Sequence, residues 1–362
     1  MHKPNTAETL INREEMNMEE AAAKQQLDVE KVIQDILGTI EREREREIVA
    51  RRFGLFDRRE TLEQIGELLG ITRERVRQLE KAIIIKLKAS ASRDLPHIKE
   101  INEVLSTQLK DMGNVARISD ISARLTRESN KLDQARVAFL AHLSPGIVII
   151  EDNDHFFHAI GLASEHTEKA IRDMVGKIID AIRNISEPTT IDAIAAKIDS
   201  DNPKHVEALA GISKGIASLN ERWGLVKWPM VNPKNIRDKI YVILHDNKKP
   251  MHFSEIAEAI KKSDFKRKNV TTQAIHNELI KDKRFVLIGR GIYALREWGY
   301  KRGTVSDVIA EVLKKENGAL HRDEIVRRVL KSRQVKETTI LLNLQGKKQF
   351  KRVAKATYTL AE

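Results

Sequence analysis

The chain has 362 residues, no cysteine, 4% aromatic residues and a formal net charge of +11. The lack of cysteine excludes disulfides, thiol nucleophiles and cysteine-ligated zinc sites. No stretch approaches the ~18 apolar residues that a membrane span needs. Residues 232–362 contain 30 basic and 15 acidic side chains, whereas residues 94–231 are net negative. The last third of the chain is therefore expected to attract polyanions.

One nine-residue pattern occurs five times, with isoleucine at its fifth position and an aliphatic residue at its ninth. The copies begin at Thr61, Arg117, Thr190, His252 and His321. In a helix, this spacing places the two apolar side chains one turn apart on one face. A second amphipathic stretch follows each copy after a short break. The sequence thus predicts a two-helix unit that is used repeatedly.

The last two copies are each followed by a segment typical of a β-hairpin. Residues 285–295 and 350–360 share Phe, Tyr and Leu at equal spacing, and Gly289-Arg290-Gly291 forms a tight turn in the first. Weaker hairpins are predicted at 146–160 and 224–228. Three helices followed by a hairpin match the winged-helix plan.

The predicted fold class is mainly α, with tandem helix-turn-helix and winged-helix modules and small β-hairpin wings. Residues 1–27 are expected to be disordered or loosely helical. A helix-turn-helix domain is predicted at 28–93, and winged-helix-like modules at 94–163 and 164–231. A winged helix at 232–300 and a degenerate second one at 301–362 complete the predicted division.

The most specific pattern is the helix-turn-helix between residues 61 and 88. Thr61 and Thr72 are suited to cap its two helices, and Gly70 follows the end of the first, where a left-handed backbone favours glycine. Gly66 is small where a crossing helix is expected to come close. The predicted buried seam consists of Ile65, Leu69, Ile71, Val76, Leu79 and Ile83.

The second helix of this motif has a polar strip on its expected outer face. The strip consists of Arg73, Glu74, Arg77, Gln78 and Lys81. Arginine can bind guanine, glutamine can pair with adenine, and glutamate can accept from the cytosine amino group, so these side chains suit base reading in a major groove. A solvated helix face with pairs of opposite charge is the alternative.

Residues 28–93 resemble region 4 of the housekeeping class of bacterial sigma factors. The resemblance rests on EREREIVARRFGL (43–55), TLEQIGELLGITRERVRQLE (61–80) and KLK (86–88). It implies that the helix reads a promoter −35 element and that RNA polymerase is a partner. It further implies base contacts by Arg73, Glu74, Arg77 and Gln78, and phosphate contacts by Arg52, Thr61, Thr72 and Lys81. No segment resembles the sigma region that binds the polymerase clamp and melts the −10 element.

Residues 234–300 resemble the HARE-HTH family of winged helices. The resemblance rests on KKPMHFSEIAEAI (248–260) and RFVLIGRGIYALREWG (284–299), and residues 303–361 resemble a degenerate second copy. It implies a role with nucleic acid or polymerase and no chemistry of its own. The candidate secondary phosphate contacts are Lys261, Lys262, Lys266, Arg267, Lys268 and Arg290.

The histidines do not form a pattern typical of a metal site. His155, His158 and His166 are close in sequence but lack a second histidine pair, so core or surface positions are expected. His252 and His321 are expected to begin helices. No Ser-His-Asp arrangement, phosphate loop or paired carboxylate site is found. We therefore expect no catalysis, metal, cofactor or small-molecule substrate, and no membrane association.

The sequence favours a DNA-binding protein of bacterial transcription initiation or its regulation. Double-stranded DNA and RNA polymerase are the expected partners, and the expected location is the cytoplasm, at the nucleoid. Two alternatives stay open. One is a polymerase accessory subunit similar to delta that works mainly through protein contacts. The other is a DNA-targeting module of a restriction or repair system.

Overall fold

The fold is given by a computed structural model that describes residues 27–265, 267, 269–300, 302–316 and 318–361. The segment predicted to be disordered or loosely helical, residues 1–27, lies outside the described residues apart from Leu27. The chain divides into two units. The first comprises the described part of residues 1–217 together with 221–225, and the second comprises residues 218–220 and the described part of 226–362.

The described part of the first unit starts with a group of four helices. They are α1 (Val29–Gly38), α2 (Glu43–Phe53), α3 (Leu62–Leu69) and α4 (Arg73–Ala91). Gly54 ends α2 with a φ of 68°, a left-handed conformation that glycine adopts without strain. Helices α3 and α4 are the predicted helix-turn-helix.

A second group of elements in the first unit combines three helices with a small sheet. They are α5 (Ile98–Asp111), β1 (Val115–Arg117), α6 (Ile118–Leu125), α7 (Lys131–Leu143), β2 (Ile147–Ile150) and β3 (Ala159–Leu162). The strand order is β1-β3-β2, and both pairings are antiparallel, with Gly161 of β3 opposite Val115 and Val148. The hairpin predicted between residues 146 and 160 is confirmed, although its second strand continues to Leu162.

The third group has helices α8 (Glu168–Ile185), α9 (Ile191–Lys197) and α10 (Pro203–Gly211), and then strands β4 (Ile216–Leu219) and β5 (Arg222–Leu225). The hairpin predicted at 224–228 is therefore wrong in position. Its turn is formed by Asn220 and Glu221, which both have positive φ, at 50° and 60°. The two apolar runs of this hairpin are short, so the sequence pattern did not place the turn.

The second unit contains two groups with the same order of elements. The first is α11 (Ile236–Asn247), β6 (Met251–His252), α12 (Phe253–Lys262), α13 (Thr272–Lys281), β7 (Phe285–Gly289), β8 (Ile292–Leu295) and a 3-10 turn (Arg296–Trp298). The second is α14 (Val305–Glu316), β9 (Leu320–His321), α15 (Arg322–Leu330), α16 (Glu337–Gly346), β10 (Phe350–Ala354) and β11 (Thr357–Leu360). Their sheets, β6-β8-β7 and β9-β11-β10, are equivalent, which confirms both predicted C-terminal hairpins.

The five copies of the nine-residue pattern all form helices, namely α3, α6, α9, α12 and α15. The isoleucine at the fifth position is fully buried in every copy, at Ile65, Ile121, Ile194, Ile256 and Ile325. A second helix follows each copy after three to nine residues. The repeat predicted from the sequence is confirmed, and so is the mainly α class with small hairpins.

The core of the first unit runs without interruption from α1 to β3. It includes Ile33, Leu87, Leu105 and Phe139, all at most 4% exposed. Burying such side chains is the main source of stability in a fold of this kind. Helix α4 therefore packs its second half into the same core that the following group of elements uses.

Candidate nucleic-acid interface

The helix-turn-helix is fixed at three points by local caps and a left-handed glycine. The hydroxyl of Thr61 accepts from the Gln64 N–H at 3.3 Å, and the Gln64 side chain accepts from the Thr61 N–H at 2.9 Å, so the start of α3 has a complete capping box. Gly70 ends α3 with a φ of 63°. Thr72 then caps α4 by accepting from the Arg75 N–H at 3.2 Å. These capping roles agree with the sequence prediction.

Gly66 is a point of close approach to the start of the crossing helix, as the sequence predicted. A Cβ at this position would lie 2.7 Å from the Ile71 carbonyl oxygen and 3.4 Å from the backbone nitrogen of Arg73, the first residue of α4. The Ile71 N–H also donates to the Gly66 carbonyl at 2.9 Å. Gly66 therefore allows the turn between α3 and α4 to fold back onto α3, and this close approach fixes the angle between the two helices.

The interior of the motif is small and apolar. Ile65 and Val76 are fully buried, and Leu69, Ile71 and Leu79 pack around them, as the sequence predicted. Ile48 of α2 completes this cluster and is also fully buried. The sequence prediction had missed Ile48, because its helix is mostly charged. The predicted seam residue Ile83 is buried as well, but it belongs to the larger core of the unit.

The four predicted base-reading side chains are all exposed on the first half of α4. They are Arg73, Glu74, Arg77 and Gln78. The Arg77 guanidinium donates twice to the Glu74 carboxylate, at 2.9 and 2.6 Å, and the Gln78 amide donates to the same carboxylate at 3.4 Å. Glu74, Arg77 and Gln78 thus form a connected row of hydrogen-bonding groups, with the exposed Arg73 beside them.

The hydrogen bonds between Arg77 and Glu74 shift the pKa of both side chains. The bond from Arg77 lowers the pKa of the Glu74 carboxyl, and the same bond raises the pKa of the Arg77 guanidinium. Both groups therefore stay ionised at neutral pH. The side chains remain 57% and 55% exposed, so a base edge could still reach their outer atoms.

The predicted phosphate contacts have three different environments. Arg52 is half-buried and donates to the Glu80 carboxylate at 3.2 Å and to the Glu60 carbonyl at 3.4 Å, so it joins α2 to α4. The Thr61 and Thr72 hydroxyls are exposed, but each already caps a helix. Lys81 is exposed on α4. Lys81 is consequently the member of this set that is most readily available to a phosphate.

Two arginines near the strip did not appear among the sequence candidates. Arg75 is exposed and donates to the Gln78 amide oxygen at 3.4 Å, so it orients that side chain. Arg44 donates to the Leu69 carbonyl at 2.5 Å and so satisfies the last turn of α3. The three-residue spacing from Arg75 to Gln78 was a sequence signal for the role of Arg75. No local signal indicated the contact of Arg44.

The second half of α4 anchors the exposed first half. Ile83, Ile84, Leu87 and Ala91 are buried in the core of the first unit. The helix has 19 residues, about five turns, of which the last part is held by packing. The polar strip therefore projects from a helix that is fixed at its other end.

The candidate secondary contacts lie in the second unit. Lys261 and Lys262 are exposed at the end of α12, and Arg290 is exposed in the turn between β7 and β8. Arg267 is exposed with a φ of 58°, and its carbonyl accepts from the Lys239 ammonium at 2.8 Å. Lys266 and Lys268 lie outside the described residues. These exposed cations are placed so that they could contact phosphates.

Two histidines cap helices, and two others stack on each other. His252 and His321 cap α12 and α15 through their Nδ1 atoms, which confirms that they begin helices. His166 stacks on His205, with ring centroids 4.6 Å apart. Among the described residues, no group of three or more His, Cys, Asp or Glu side chains is arranged to hold a metal ion. Within that same part of the chain, no helix is long and apolar enough to span a membrane.

The helix-turn-helix and the helix before it are similar to known transcription proteins. Residues 42–89 match the family model described as Sigma-70, region 4. Residues of this chain are 40% identical over 85 positions to RNA polymerase sigma factor sigB of Arabidopsis thaliana, covering 23% of this chain and 14% of that protein. They are 46% identical over 57 positions to RNA polymerase sigma factor SigA of Bacillus sp, covering 16% of this chain and 15% of that protein. The chain thus spans about one seventh of the length of these relatives, and the similarity lies in the region that carries the exposed strip of α4.

Proposed function

We propose that this protein binds double-stranded DNA in bacterial transcription initiation or its regulation, with α4 reading a sequence similar to a promoter −35 element. The observation that carries the proposal is the exposed row Arg73, Glu74, Arg77 and Gln78 on the first half of an anchored helix. Their donors and acceptors match those of base edges in a major groove. The match of residues 42–89 to Sigma-70, region 4, supports the same role.

Phosphate contacts position a protein on a duplex, whereas base contacts carry the sequence information. In this proposal, Lys81 and the exposed hydroxyls of Thr61 and Thr72 contact the backbone on either side of the groove. Arg52 stabilises the packing of α2 against α4, because its guanidinium is ion-paired with Glu80. RNA polymerase is the proposed protein partner, since both relatives are named as sigma factors of that enzyme.

The two groups of the second unit are proposed to be winged helices, the first of the HARE-HTH type. Each has three helices and a three-stranded sheet whose last two strands form a hairpin. Their net positive charge favours non-specific contact with phosphates, by Lys261, Lys262, Arg267 and Arg290 among others. The protein is proposed to work by binding and not by catalysis, in the cytoplasm at the nucleoid.

The proposal is tested by fluorescence anisotropy with the full chain and a −35-like duplex at fixed salt. Arg77→Ala and Gln78→Ala are each expected to cost about 1–3 kcal/mol in binding to the preferred duplex. Arg183→Ala is the matched control, because Arg183 is also an exposed helix arginine paired with an acid three residues earlier, Asp180, at 2.9 Å. Equal losses from Arg77→Ala and Arg183→Ala, or no binding by the parent chain, would contradict the proposal.

A further inference from the structure

A cavity of about 840 Å³ lies within the first unit, beside the helix-turn-helix. Its walls come from the loop between α2 and α3, the start of α6, one side of α7 and the connection between β2 and β3. Sites for small molecules typically have volumes of roughly 300–1,000 Å³. The cavity is thus large enough for a ligand of the size of a nucleotide. The sequence alone gave no sign of it.

Four cationic side chains line this cavity: Arg58, Arg59, Arg117 and Lys131. Among the described residues, none of the four forms an ion pair. Arg117 is the most enclosed. Its guanidinium lies 4.0 Å from the centre of the Phe157 ring, and only its Nε has a hydrogen-bond partner in the described part of the chain, the Gly211 carbonyl at 2.5 Å. Burial lowers the pKa of Arg117, so this charge lacks the solvation it would have in water.

The acidic side chains of the lining do not neutralise these cations. Asp152 pairs with Lys214 at 2.9 Å, and Asp57 accepts from the backbone N–H of Arg58 at 2.7 Å. Glu151 is exposed. The lining thus has four cations against three carboxylates, one of which is already paired with Lys214, and this leaves an excess of positive charge that favours an anionic ligand.

The remaining lining is aromatic and apolar. It includes Phe53, Phe56, Phe157, Ile118, Leu132 and Ile149. His142 and His158 also line the cavity, and burial lowers the pKa of both imidazoles, which makes them neutral flat rings at pH 7. Ring faces of this kind favour a planar ligand that can pack against them.

We propose that this cavity binds a small organic anion that carries a planar ring. The cationic side chains Arg58, Arg59, Arg117 and Lys131 hold its anionic group, and the ring packs among Phe53, Phe56 and Phe157. A nucleotide and an aromatic carboxylate share this chemistry. Because Arg59 lies two residues before the Thr61 cap of α3, an occupant contacts the loop that leads into the helix-turn-helix. The proposal does not depend on the proposed DNA-binding function.

The test is calorimetric titration of the full chain without DNA, using two pairs of probes. Naphthalene-2-carboxylate is compared with its neutral amide, and adenosine monophosphate with adenosine. At least one anion is expected to bind with one-to-one stoichiometry, and its neutral counterpart roughly ten-fold more weakly, since each has the same ring and differs in charge. The pair that binds more tightly identifies the ligand as a nucleotide or an aromatic carboxylate.

Two variants locate the binding. The double variant Arg59→Gln with Lys131→Gln removes two exposed charges and is expected to weaken binding of the anion roughly ten-fold. Arg124→Gln, on the exposed side of α6, is the matched control and is expected to leave binding of the anion unchanged. Ala135→Trp fills the cavity and is expected to abolish binding. Circular dichroism checks that each variant is folded. If Ala135→Trp does not fold, the result of the double variant decides the test. The proposal is overturned if neither anion binds, if the neutral probes bind equally well, or if the double variant binds as tightly as the parent.

Discussion

Helices α4 and α7 occupy the same place in two copies of one repeat, yet their surroundings are opposite. Each follows an eight-residue helix and begins with a side-chain cap, Thr72 for α4 and Asn130 for α7. The first half of α4 exposes Arg73, Glu74, Arg77 and Gln78 to solvent. Helix α7 is buried on nearly every side, including Phe139, Leu140 and even Arg136. The local pattern determines that a helix forms, and its neighbours determine what the helix can contact.

The buried arginine of α7, Arg136, connects this helix to two neighbouring parts of the first unit. Arg136 is 5% exposed, its Nε donates to the Leu55 carbonyl at 2.9 Å, and its Nη2 lies 2.8 Å from a Glu30 carboxylate oxygen. It therefore ties α7 to α1 and to the loop that precedes the helix-turn-helix. Helix α7 is therefore a support for the exposed helix, and its Arg136 is held inside the unit.

The largest expected effect comes from removing the buried ring of the supporting helix. Phe139 is fully buried and meets Phe53 edge to face at 4.9 Å. Phe139→Ala is expected to lower the free energy of unfolding by about 3–5 kcal/mol, because it leaves a cavity in the core. Urea denaturation followed by circular dichroism measures this. Arg77→Ala on the exposed helix is the comparison and should stay within about 0.5 kcal/mol of the parent. Similar losses at both positions would remove the contrast between the two helices.

The difference between α4 and α7 marks the limit of what the sequence could predict. The repeat, the caps at Thr61 and Thr72 and the exposed strip follow from local spacing, and the structure agrees with them. The burial of Arg136 does not follow from spacing, because its partners Leu55 and Glu30 are far away in sequence. The cavity beside α7 also escaped prediction, since its lining comes from four separate segments. The close approach at Gly66 was predicted from the sequence, but the contact with the Ile71 carbonyl in the turn was not.

A smaller effect is expected at the turn that fixes the exposed helix. In Gly66→Ala the new Cβ would lie 2.7 Å from the Ile71 carbonyl oxygen, so the turn must shift. We expect a loss of about 2 kcal/mol, which is typical of overpacking. Gly70→Ala is the matched control, because its Cβ meets nothing within 4 Å and only its φ of 63° opposes the change, at about 1 kcal/mol. Thermal denaturation of the two variants distinguishes the causes, and a Gly66→Ala variant as stable as the parent would refute the close approach.

The smallest effect concerns the cap of α4. Thr72→Ala removes the acceptor of the Arg75 N–H and is expected to cost about 1 kcal/mol in the free energy of unfolding. Thr72→Ser retains the hydroxyl and should restore most of this loss. The same two proteins can be compared for DNA binding, because fraying at this end of α4 would disorder Arg73 and Glu74. If alanine and serine are equally stable at this position, the cap contributes nothing.

A specificity profile tests whether the first half of α4 reads bases. Binding of the parent chain and of Gln78→Ala is measured by competition on a set of −35-like duplexes that differ by one base pair each. If Gln78 contacts a base, we expect Gln78→Ala to lose discrimination at one or two adjacent base pairs by about 1–3 kcal/mol and to keep it elsewhere. A uniform loss across every duplex in the set would contradict it, since that is the behaviour of a phosphate contact.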